Sequence, residues 1–167
     1  MTNLGTSRPP TAVSRGDDRS KLLWAGGTVF DVILDGSQTD GSLDLLDQWG
    51  VRGDVTPLHV HLDDAEVFYV LEGGIVAWSG DDVHRLKAGD AVYLPPGQTH
   101  AFGVESPQAR IISVTAPAGF AVFVRAAGVS VSGDVPASWE SNIDAVLANA
   151  APHRIEIVGP PPALPDL

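Results

Sequence analysis

His59 and His61 are separated by one residue. In an extended strand, residues two apart point to the same side, so the two imidazoles face one way. Glu66 follows after a short turn and opens the next run of branched and aromatic residues. A hairpin at that turn would set its carboxylate beside the imidazoles. Two imidazoles and a carboxylate suit iron, manganese, cobalt, nickel, copper or zinc. His100 is the fourth candidate. It follows Pro95-Pro96-Gly97, a rigid turn that sets how the chain re-enters the fold. Three imidazoles and one carboxylate leave one or two metal positions open, as a catalytic site requires. The expected cofactor is one divalent transition metal ion, its identity left open by this donor set.

Strands must carry these residues. Among 167 residues there are 18 Gly and 13 Pro, so the chain turns often and short strands are favoured over long helices. The run TVFDVIL from Thr28 to Leu34 reads as a strand, and Ser42 to Trp49 as another. Further strands are expected at Val55–His61, Glu66–Leu71, Ile75–Ser79, Val83–Leu86, Ala91–Leu94, Ala101–Val104 and Ala109–Thr115. Gly73-Gly74 marks a hairpin between two of them. Strands at this spacing suggest a closed sandwich or barrel. Two helices follow. The first runs from Ala118 to Ala127 with Gly128 as its cap, and Phe120, Phe123 and Val124 are its core-packing face. The second starts at Ser138 as N-cap with Glu140 in its first turn, and presents Ile143, Val146 and Leu147. Residues 1–20 read as a flexible arm, 21–158 as one domain including the helices, and 159–167 as an extended Pro-rich tail.

Charge and composition narrow the partners. The formal net charge is −11, and the 10 Lys and Arg are scattered, with a loose group at Arg15, Arg19 and Lys21. Nucleic acid and anionic membranes are excluded as partners on these grounds, and a small molecule is expected. There are no cysteines, hence no disulfides and no thiolate ligands. The first 21 residues lack an apolar signal-type run, and no stretch reaches the ~20 apolar residues of a membrane helix. A soluble cytoplasmic protein is expected. His84 and His153 read as solvated, as do Asp63 and Asp64 in their turn. Gly26-Gly27 lacks the Lys-Ser/Thr pair of a phosphate loop, and no G-x-S-x-G elbow is present.

The spacing Gly53, His59, His61, Glu66, Gly73 resembles the first cupin motif at all five positions. Gly89, Pro95, Gly97 and His100 resemble the second, whose usual final Asn is Val104 here. The short stretch between the motifs, Gly74 to Ala88, is similar to that of bacterial cupins. The resemblance implies an all-β fold, a cupin jelly-roll β-barrel with short C-terminal helices. The missing Asn implies a more apolar pocket wall. By strand parity Phe68, Val70, Phe102 and Val104 share the interior with Glu66 and His100, and are the expected substrate-binding residues. HVHLDDAEVFYVLEGG, PPGQTHAF, VTAPAGFAVFVRAAG and IEIVGPPP further resemble the small single-domain cupins grouped with quercetin dioxygenases. That likeness implies a metal-dependent dioxygenase acting on an aromatic, polyketide-like or flavonoid-like molecule. It also implies that Glu66 is both ligand and catalytic base, and that the chain is a homodimer. Two other readings stay open on the same residues. One is a non-redox cyclase, dehydratase or isomerase using the metal as a Lewis acid, and the other is a non-catalytic small-molecule-binding cupin.

Overall fold

A computed structural model describes residues 11–13, 21–140 and 142–165. In chain order its strands are β1 (Lys21–Leu23), β2 (Val29–Leu34), β3 (Asp44–Val51), β4 (Leu58–His61), β5 (Ala65–Glu72) and β6 (Gly74–Ser79). After them come β7 (Asp82–Lys87), β8 (Ala91–Leu94), β9 (His100–Val104) and β10 (Gln108–Ala116). Helix α1 (Phe120–Ala127), β11 (Val129–Val131), α2 (Ile143–Ala150) and β12 (Ile155–Gly159) complete the fold. One sheet has the order β11-β1-β2-β3-β10-β5-β8 and the other β12-β4-β9-β6-β7. Every pairing is antiparallel, and the two sheets form the expected all-β jelly roll with short helices near the C-terminus.

Alternation along the strands places the core. In β5, Glu66, Phe68 and Val70 are buried while Tyr69 is exposed. Between the sheets Phe68, Val70, Ile75, Phe102, Val104 and Ile111 form one apolar cluster. Each such side chain contributes about 1.5–3 kcal/mol by leaving water. A second cluster joins Leu22, Phe30 and Leu46 to Ala121 and Val124 of α1.

Several boundaries differ from the sequence expectation. The strand expected from Val55 begins at Leu58, because Pro57 has no N–H to give a ladder; Val55 makes only an isolated bridge to Gly103. Helix α1 starts at Phe120 rather than Ala118. The buried Asp44 carboxylate accepts hydrogen bonds from the Gly119 and Ala121 amides at 2.8 and 2.9 Å, capping the helix from a distant strand. Gly128 does follow α1, but with extended backbone rather than a left-handed cap, since the chain runs straight into β11. Glycine is needed there for closeness: a Cβ would meet the Val124 carbonyl oxygen at 2.7 Å.

Helix α2 starts at Ile143, not after Ser138. Tertiary bonds hold the preceding residues out of helix. Trp139 Nε1 donates to the Trp24 carbonyl at 2.8 Å, and Asn142 Nδ2 donates to the Ala127 carbonyl. Of the face expected to be apolar and packed, Val146 is buried, while Ile143 and Leu147 are largely exposed. The short strands β1, β11 and β12 were not expected. The arm expected over 1–20, with Arg15 and Arg19, lies outside the described residues apart from 11–13. Of the tail expected over 159–167, Gly159 closes β12 and Leu164 lies against Gly103 of β9. Among the described residues no helix is long and apolar enough to cross a membrane.

Candidate metal centre

The four expected ligands meet at one point. Their ligand atoms all lie within 4.8 Å of one another. His59 pairs with His100 across β4 and β9, and their rings are 4.3 Å apart. The His61 ring lies 5.2 Å from each of the other two. Glu66 arrives differently from the hairpin expectation. β4 and β5 belong to opposite sheets, so Leu62-Asp63-Asp64 carries the chain across the sandwich and Glu66 faces the imidazoles from the other side. Its Oε2 is 3.5 Å from His100 Nε2 and 4.0 Å from His61 Nε2. The two motifs are also tied through backbone. Gly97, at φ +75°, donates its amide to the His61 carbonyl at 2.8 Å.

Each imidazole is held by its other nitrogen. His59 Nδ1 lies 2.8 Å from the Pro57 carbonyl, His100 Nδ1 2.8 Å from the Gln98 carbonyl, and His61 Nδ1 2.7 Å from Asp64 Oδ2. Three acceptors at Nδ1 fix the tautomer that leaves Nε2 bare, which is how ligating histidines are oriented. His61 Nε2 and His100 Nε2 are buried with no hydrogen-bond partner. Such orphaned atoms are costly unless something binds them, and a metal ion does so. Burial, then the charges of His100 and His61, push His59 well below the usual imidazole range. At His61 burial works downward, but the Asp64 hydrogen bond and the Glu66 and Asp64 charges together raise it. Asp64 therefore orients the His61 ring, against the expectation of a solvated turn. Asp63 does stay exposed and pairs with Arg154 at 2.8 Å.

Residues 51–115 match the cupin domain family. Over those residues the chain is similar to a cupin domain. By fold it is similar to KdgF from Halomonas sp. (TM-score 0.60, 19% identity, 66% of this chain and 99% of that one). An RmlC-like cupin from Shewanella frigidimarina NCIMB 400 is similar too, with TM-score 0.57, 22% identity, and coverage of 65% and 92%. In sequence the chain is 25% identical over 163 residues to quercetin 2,3-dioxygenase of Bacillus subtilis (strain 168), covering 96% of this chain and 48% of that enzyme. It is 35% identical over 48 residues to an uncharacterized protein of Methanocaldococcus jannaschii, covering 29% of this chain and 38% of that one. The chain thus spans about half, or less, of the curated relatives it matches.

The cluster of His59, His61 and Glu66 opens into a cavity of about 320 Å³. Phe68 and Phe102 form part of its wall, with ring centroids 4.9 Å apart. Val70 and Val104, expected beside them, lie in the core cluster and are absent from the cavity lining. Phe120 and Phe123, read from sequence as core alone, line the cavity, and the Phe120 ring is 5.4 Å from that of His61. His84 is exposed as expected, whereas His153 is half-buried, its ring 5.8 Å from that of Phe123.

Asp54 also lines the cavity and is only 8% exposed. Burial raises its carboxyl to about 6, against a smaller opposing pull from its hydrogen bond with Thr28. Between the unfolded carboxylate value and 6, the native state holds the proton more tightly. Stability therefore falls as pH rises through that window and stays reduced above it. Asp54→Asn is expected to stabilise the protein by about 1–3 kcal/mol at pH 8, with the difference fading by pH 4. Urea unfolding of both proteins at the two pH values checks this; an equal difference at both would contradict it.

Proposed function

We propose that this cupin is a metal-dependent oxygenase acting on an aromatic or polyketide-like small molecule. The observation that carries the reading is a four-ligand cluster opening into an aromatic-walled cavity. A divalent ion held by His59, His61, Glu66 and His100 would supply a Lewis-acidic position for an enolate or phenolate oxygen and for a second small ligand. The other steps belong to the chain. Phe68, Phe102 and Phe120 present flat apolar surface to a ring system and exclude water around it. Glu66, buried at the ligand cluster, takes the hydroxyl proton as the substrate binds. Asp64 holds the His61 ring in place throughout. Dioxygen is the co-reactant. The likeness to quercetin 2,3-dioxygenase supports this class of substrate without naming one.

Oxygen uptake by protein loaded with each candidate metal in turn, across a panel of flavonols and polyphenols, tests the proposal. Uptake matching substrate loss is expected. Conversion without oxygen uptake would reject an oxygenase and leave Lewis-acid chemistry at the same residues.

A further inference from the structure

The cavity has a second polar point that the metal cluster does not use. Asp54 lines it with Thr28, whose hydroxyl donates to Asp54 Oδ2. Among the described residues no cation pairs with this carboxylate, and Thr28 is its side-chain partner. The fold clears space for it. A Cβ on Gly26 would fall 2.0 Å from Asp54 Oδ1, and one on Gly50 would fall 3.1 Å from Oδ2. Gly26 also has φ +78°, a conformation that side chains disfavour. Two glycines from separate elements thus make the seat in which the carboxyl sits.

Its position along the cavity follows from strand register. The Asp54 carbonyl accepts from the Val104 amide at 2.9 Å, whereas His59 pairs with His100. Val104 and His100 are the two ends of β9, which puts the levels of Asp54 and the ligand cluster about 13 Å apart along the strand. Phe102, on the same face midway between them, lines the cavity. A molecule in this space meets the metal ligands at one end, aromatic rings in the middle and a carboxyl group at the other end. A buried carboxylate without a cation is costly, and a ligand hydroxyl donating to it would lower that cost.

We infer that Asp54, seated by Thr28, accepts a hydrogen bond from a substrate hydroxyl remote from the metal ligands, and so selects flat aromatic molecules oxygenated at both ends. This rests on the oxygenase reading only insofar as that reading places an aromatic ligand in the cavity.

Calorimetric titration of the zinc-loaded protein with 4,4′-dihydroxybiphenyl and with 4-hydroxy-4′-methoxybiphenyl tests the inference without turnover. The methyl ether keeps one hydroxyl and loses the donor at the other end. Wild type is expected to bind the diphenol roughly tenfold tighter or more, the scale of a hydrogen bond to a charged acceptor. Asp54→Leu should bring that preference to within about twofold. If Asp54→Leu does not fold, Asp54→Asn decides: removing the charge while keeping an acceptor should cut the preference at least about threefold. Equal binding of both ligands by wild type, or a preference that survives substitution, overturns the inference and leaves the oxygenase reading standing. Absence of binding by both ligands overturns the two together. A purely structural role for Asp54 would move the melting temperature and leave the ligand preference unchanged.

Discussion

Glu66→Gln, fully loaded with metal, is expected to turn over its substrate about 10²- to 10⁴-fold more slowly than wild type. Gln has nearly the shape of Glu, and the side chain is buried, so packing around it should survive. What the amide loses is the capacity to take a proton. Two consequences must be separated. A neutral amide is a poorer ligand for a divalent ion, so occupancy has to be measured and restored before rates are compared. If restored occupancy brings turnover to within a few-fold of wild type, Glu66 is a ligand only. His61→Ala is the control. It removes a ligand with no proton-transfer duty in the proposed scheme, and its deficit should track occupancy.

Metal binding should also raise the melting temperature, and do so less as the solution becomes acidic. An ion at about a thousand times its dissociation constant adds about 4 kcal/mol to stability. For a chain of this size that corresponds to about 8–16 °C. Ligating imidazole must be neutral. His61 is the weak point, because Asp64 and Glu66 raise its proton affinity despite burial. In the metal-free protein its charged form favours the fold below about pH 6.5, and that contribution is lost as pH rises through its raised value. The ion must displace this proton, so the thermal gain should shrink as pH falls from 8 to 5. His59, held low by burial, stays neutral to lower pH than His61. Thermal unfolding with and without metal across that range, with occupancy measured in parallel, checks the effect. A gain unchanged at pH 5 would contradict a site built on three imidazoles.

The candidate ligands were legible because the spacing within each motif is local. His59 and His61 obey the two-residue period of a strand, and Pro95-Pro96-Gly97 announces the turn before His100. The partner sheet of Glu66 was not legible, since a three-residue turn serves a hairpin and a crossing equally well. Asp63 and Asp64 are chemically identical in sequence, and only the direction of that crossing gives Asp64 to His61 and Asp63 to Arg154. The cavity wall was legible in part. Parity put Phe68 and Phe102 inside, but it cannot say which inward side chains reach the cavity, and Val70 and Val104 lie in the packed core instead. Trp24, Thr28 and Asp54 come from loops and strand ends with no periodicity to read. Strands as short as β1 and β11 have none either, and Ser138 lost its expected role to tertiary hydrogen bonds around Trp139 and Asn142.

β12 pairs with β4 in the register Ile155 to His61 and Ile157 to His59, so the strand carrying two ligands is flanked by β9 on one side and by β12 on the other. Nearly a hundred residues of chain separate β4 from β12. Closing so long a loop is slow, and contacts of this separation form late in folding. Pairing β12 onto β4 therefore carries a large loop-closure cost, and it completes the setting of the strand that holds His59 and His61. An ion that binds only the finished cluster cannot act as a nucleus. It acts afterwards, slowing the escape from the native state while leaving the rate of reaching it almost unchanged.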